Sequence, residues 1–146
     1  MSSQAPSRIR DQIATGLMLL CALAAGFALV TSIGAAQNAG PDVQMVETWR
    51  LFGFAFFACV FVLLAIRPRG YPGLWEVLIV NKAALTVAGF VLAGQGAAGA
   101  DVASISDLVL TILLIAAYLL SRGYASWRPA QPANGPLAPA GSPQRD

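Results

Sequence analysis

The chain contains no histidine. That excludes histidine-ligated haem, the common zinc sites and a Ser-His-Asp triad. Cysteine is scarce: Cys21 and Cys59 form no Cys-x-x-Cys pair and have no obvious activating base, so both read as small apolar residues rather than reactive thiols. Charge is scarce too, with charged residues at 11% of the chain against about a quarter in soluble proteins. No Gly-rich phosphate loop follows a strand, and no basic patch suits nucleic acid. No metal site and no constellation for autonomous catalysis emerges from what is left.

What is present is apolar. Hydrophobic residues make up 57% of 146, and the mean hydropathy is +0.66. Four runs, Ile13–Ile33, Thr48–Ile66, Leu74–Leu92 and Val102–Leu120, are each long enough to cross a hydrocarbon core about 30 Å thick. Little remains outside them. The expected fold is all-α: an integral membrane four-helix bundle spanning 13–121, preceded by a cytoplasmic segment 1–12 and followed by a cytoplasmic tail 122–146. Five of the nine prolines lie after Trp127 in a Pro/Ala-rich stretch, a composition that cannot build a core and is expected to be disordered. A first run of 21 residues exceeds the 7–15 of a signal-peptide core, which favours a retained span over a cleaved leader.

Basic residues set the expected orientation. Arg8 and Arg10 precede the first span, Arg67 and Arg69 sit between the second and third, and Arg122 and Arg128 follow the fourth. The alternate loops, Gly34–Glu47 and Ala93–Asp101, carry Asp42, Glu47 and Asp101 and no basic residue. Both termini are therefore expected in the cytoplasm, and Ala-rich composition points to a bacterial plasma (inner) membrane. Gly34–Asp42 reads as a loop with a helix start at Pro41, and Arg67–Gly73 as a short turn pairing the second and third spans. Small residues four apart, Ala22/Gly26, Ala24/Ala28, Ala84/Ala88 and Gly89/Ala93, mark faces where helices can approach closely.

The polar residues inside the spans carry the functional question. Lys82 lies eight residues beyond Leu74, or about 12 Å into the membrane at 1.5 Å per residue. An ammonium at that depth costs at least a few kcal/mol and is a functional-site candidate unless a carboxylate pairs with it. Glu76 lies on a different face of the same helix and suits the helix dipole. Asp107, roughly 8 Å inside the opposite edge, is within reach of an outward-stretched Lys82. Ser104-x-x-Asp107 also fits a capping box, which would place Asp107 at a helix start. Glu47 and Arg50, three apart, form a local pair on the second span. Together Glu47, Arg50, Asp107, Asn81 and Lys82 are candidates for one polar pocket opening to the outer face, binding a ligand or partner. Five of seven phenylalanines, Phe52, Phe54, Phe56, Phe57 and Phe61, surround the second span; they serve as lipid-facing and core residues, or as one wall of a lipid or quinone groove.

Arg50-Leu51-Phe52-Gly53, opening the second span ahead of a short turn into the third, resembles the R-L-x-G start of the second helix in small DoxX-like membrane proteins. The likeness covers the four-span layout over Ile13–Leu120 and carries over Arg50 and, as a structural residue, Gly53. It implies a four-helix bundle associated with quinone-linked oxidoreductases, assembly or redox stress. Three functions follow from residues and resemblance together. The first is an accessory subunit or assembly factor docking on a membrane-protein partner or on further copies of itself. The second is a quinone- or lipid-binding subunit of a membrane redox system using Arg50, Lys82 and the phenylalanines. The third is a small multidrug-type transporter, disfavoured because the first span lacks an embedded acid.

Overall fold

The computed structural model describes residues 8–127, so the proline-rich stretch beyond Trp127 lies outside the described residues. Four helices follow one another, α1 (Arg8–Asn38), α2 (Pro41–Ile66), α3 (Leu74–Gly94) and α4 (Ala100–Ser121), and a 3₁₀ turn over Gly123–Trp127 ends the described chain. All four helices are long and apolar enough to cross a membrane, and the chain is a multi-pass membrane bundle. At 1.5 Å per residue α1 reaches about 46 Å, well beyond a 30 Å hydrocarbon core.

The longer α1 corrects one expectation. Gly34–Asn38 is helix rather than loop, and only Ala39 and Gly40 separate α1 from α2. Alanine-rich sequence favours helix, and the Asn38 amide donates to the Gly34 carbonyl at 2.8 Å, closing the last turn from within. Pro41 opens α2 as expected, with extended Gly40 ahead of it, because proline at the first helical turn loses no hydrogen bond. The other end also gains order: Arg8–Gln12 belong to α1, and Gly123–Trp127 pack back on α4 instead of joining a tail.

Consecutive helices are not equally close. The backbones of α1 and α2 run side by side, as do those of α3 and α4, and α1 packs on α4. Backbone contacts thus run α2–α1–α4–α3, and the Phe57–Lys82 contact closes them into a ring. The turn at Arg67–Gly73 links α2 to α3 without pressing their backbones together; those helices meet through side chains, Phe57 and Lys82 among them. Each helix buries one stripe at helical spacing: Ala14, Met18, Cys21 and Ala25 in α1, Trp75, Leu78, Lys82 and Thr86 in α3. The apolar core (Met18, Phe61, Leu64, Trp75, Leu78, Leu114) occupies the half of the bundle nearer the termini. In the other half α3 and α4 approach through small residues: a Cβ on Gly89 would stand 2.7 Å from Ser104 Cβ and 3.1 Å from its Cα. Of the small-residue pairs read from sequence, Gly89 therefore marks a real crossing. Gly26 faces open space, and Ala84 and Ala88 are exposed.

The end bearing the termini is clasped by side chains. Arg69 donates two bonds to Asp11, at 2.7 and 3.1 Å, and a third at 2.7 Å to the Ser121 carbonyl. One guanidinium thus ties the start of α1, the α2–α3 turn and the end of α4, where carbonyls lack helical partners. Trp75 donates to the Pro68 carbonyl at 2.7 Å. Its ring and that of Tyr118 press on Gly123 so closely that a Cβ there would fall 2.6 Å from Tyr118.

Candidate functional site

Antiparallel packing sets the register of α3 on α4. Gly89 faces Ser104 near one end, and Glu76 accepts from the Tyr118 hydroxyl at 2.8 Å near the other. Lys82 then lies level with Thr111, about one turn short of Asp107. Its side chain bridges that turn: Lys82 Nζ meets Asp107 Oδ1 at 2.7 Å. The same ammonium sits 3.9 Å from the centroid of the Phe57 ring on α2, a cation–π contact. Three helices are thereby joined at one charge, on the only lysine in the chain.

Burial and hydrogen bonds complete the centre. The Lys82 side chain is 8% exposed and that of Asp107 17%. One turn beyond each partner stands a threonine whose hydroxyl donates back to its carbonyl: Thr86 to Lys82 at 2.9 Å, Thr111 to Asp107 at 2.7 Å. Both threonines are buried, so these hydroxyls find acceptors without competing for the ammonium or the carboxylate. The unit is electrically neutral, directional and largely sealed. It can lend a positive edge or a carboxylate edge to something lodged between α2 and α3, and it can hold those helices in place.

The five candidate residues do not form one pocket. Lys82 and Asp107 come together. Glu47 and Arg50 pair with each other in the first turns of α2, with Glu47 largely covered and Arg50 52% exposed. Asn81, one position from Lys82, turns outward and is exposed, because consecutive helical residues point about 100° apart. The polar set divides into a central pair, an α2 surface pair and a lone amide. Gly53, three residues past Arg50, has nothing within 4 Å of where a Cβ would stand.

Two other readings change. The capping box at Ser104 does not form, since α4 starts at Ala100 after left-handed Gly99; Ser104 donates instead to the Asp101 carbonyl at 2.9 Å. Asp107 is therefore two turns inside a helix, where an acid needs a partner. Glu76 is more than a dipole residue: besides Tyr118 it accepts from the Trp127 indole at 3.0 Å, holding the 3₁₀ turn against α3. Both cysteines are free, Cys21 buried and Cys59 exposed.

Sequence reasoning passed over Phe57 as the ring beneath the ammonium, and Asp11 and Arg69 as a clasp. The threonines left a trace, each standing four residues after an ionisable residue in its span. Among the described residues no group of histidine, cysteine and acids is placed to hold a metal ion. Compared with protein-family models, with curated proteins and with solved structures, the chain matches none.

Proposed function

We propose that this protein is a non-catalytic accessory subunit or assembly factor of the plasma membrane, with both termini in the cytoplasm, acting by docking its helices on a larger membrane complex. The observation that carries this reading is where the span charges go. Lys82 and Asp107 neutralise each other inside the bundle over Phe57, so the deepest charged groups are engaged in holding the protein's own helices. The outward faces are broadly apolar, with Phe52, Phe56, Val77, Val80 and Val87 all largely exposed, as suits association within a bilayer. Gentle release from the native membrane followed by native mass spectrometry tests it. A stoichiometric, different membrane protein is expected in the same particle. Finding this chain alone, or only further copies of it, overturns the accessory reading.

A second reading has its own observation. Asp107 keeps about twice the exposure of Lys82, and α2 meets α3 through side chains at the Phe57–Lys82 contact. A quinone or lipid headgroup lying there would accept from the ammonium and rest on the Phe57 ring, in line with the redox association implied by the DoxX-like resemblance. Extraction of the purified protein and chromatography of its lipids would then yield about one quinone or lipid per chain, lost on Phe57→Leu. A preparation free of such a molecule sinks this alternative.

A further inference from the structure

Most polar side chains within the helices look after themselves. Thr31, Thr86, Ser106 and Thr111 donate to carbonyls one turn back, and Asn38 does the same from the end of α1. Lys82, Asp107, Glu47 and Arg50 pair. Asn81 does neither: it is exposed, and among the described residues it has no hydrogen-bond partner. It stands seven residues beyond Leu74, about 10 Å inside the span, where lipid tails offer an amide nothing to bond. Burying an amide without a partner is costly, which makes Asn81 the place where this bundle lacks a neighbour.

The surroundings say what sort of neighbour. Val77, Asn81, Ala84 and Ala88 fall at helical spacing on one outward face of α3, all exposed, and a shallow depression is lined by Glu76, Val77, Val80, Asn81 and Ala84. One carboxylate oxygen of Glu76 is tied to α4 and the 3₁₀ turn by Tyr118 and Trp127. Alanines four apart let a second backbone approach closely. A carboxamide is donor and acceptor at once, so it is complementary to itself. Two copies with the same membrane orientation are related by a two-fold axis along the membrane normal, which brings identical residues together at identical depth. We infer that α3 forms a symmetric homodimer interface in which the Asn81 amides of two copies hydrogen-bond across the axis, with Ala84 and Ala88 providing the close approach. This interface does not rest on the accessory role, and it leaves the Lys82–Asp107 centre facing the other way, within each protomer.

Disulfide trapping in native membranes, joined to single-molecule photobleaching in liposomes, tests it. Exposed Cys59 is first replaced by alanine and buried Cys21 is kept. Ala84→Cys and Ala88→Cys are expected to give a disulfide-linked dimer under mild oxidation, and Val109→Cys on an exposed face of α4 is not. Asn81→Leu, an outward substitution that touches no core residue, is expected to lower the dimer fraction about threefold or more at fixed protein density, with Asn81→Gln retaining most of it. Equal trapping at all three positions, or a dimer indifferent to Asn81→Leu, overturns the interface. So does trapping of Ala84→Cys to a different protein, which would assign the face to a foreign helix. Loss of the foreign partner in native mass spectrometry would leave the dimer standing, so the two proposals fail separately.

Discussion

Lys82 gives up water for one carboxylate and one aromatic face, and both are needed. Removing one member of a buried pair leaves an uncompensated charge, which typically costs about 3–5 kcal/mol, whereas replacing both by apolar residues is often neutral. Lys82→Met is therefore expected to destabilise the bundle by about that amount, and Lys82→Met with Asp107→Leu to recover most of it; unfolding by steric trapping in bicelles measures both. Equal losses in the single and double variants would show that the pair does not hold the fold. Phe57→Leu keeps apolar volume but removes the ring, with an expected loss of about 0.5–2 kcal/mol. The pair was half legible from the sequence: counting residues put Asp107 within reach of Lys82, but Ser104-x-x-Asp107 read equally well as a helix cap. The ring beneath it was not, because which of five phenylalanines faces a neighbouring helix depends on rotation about the α2 axis, and apolar residues surround α2 on every side.

At the scale of single helices, α3 and α4 cross closely at Gly89 and Ser104. Gly89→Ala drives a methyl group into Ser104 Cβ and the backbone behind it, none of which is the end of a flexible side chain that could yield, and is expected to cost about 1–3 kcal/mol. Gly53→Ala, with open space around it, is expected to be neutral or to stabilise α2 by up to about 1 kcal/mol through helix propensity. Thermal melts of the two variants in one detergent make the comparison, and similar behaviour would remove Gly89 from the contact. The existence of four helices was legible, since each run exceeds the membrane thickness. Their ends were less so. Hydropathy stops at Ile33, but the polar, alanine-rich residues that follow continue the helix to Asn38, because backbone hydrogen bonds do not depend on apolar side chains. Small-residue spacing named Gly89 correctly and Gly26 without basis: spacing shows that a face permits close approach, and topology decides whether a helix arrives there.

For the molecule as a whole, the four-span layout places both ends of the described chain on one side, and Arg69 closes that side. Its pair with Asp11 is about one-third exposed, so solvent screening limits its worth to about 1 kcal/mol or less. Arg69→Gln is expected to leave the fold intact and to speed hydrogen exchange at the end of α4, where the Ser121 carbonyl loses its donor; unchanged exchange there would make the clasp incidental. Reporter proteins fused to either terminus are expected to act from the same side of the membrane, the cytoplasmic one according to the arginine distribution. Opposite sides would break the four-span layout itself. Charge bias is legible in the arginines alone, since it depends only on which loops carry them. That α2 and α3 meet mainly through side chains is not, because a short turn makes two helices consecutive without fixing how closely their backbones pack.

The pairing of Lys82 with Asp107 has a consequence for how the protein is made. Lys82 leaves the ribosome 25 residues ahead of Asp107, a lag of roughly one to five seconds at ordinary synthesis rates. During that interval α3 holds a cation with no counter-charge, at an insertion cost of about 2.5–3.5 kcal/mol for that residue alone. That cost falls once α4 emerges and Asp107 can pair with Lys82, which favours insertion of the two helices as a hairpin over insertion of α3 alone. A nascent chain truncated before Asp107 is therefore expected to insert α3 less completely than the full chain, which glycosylation mapping of the two would measure.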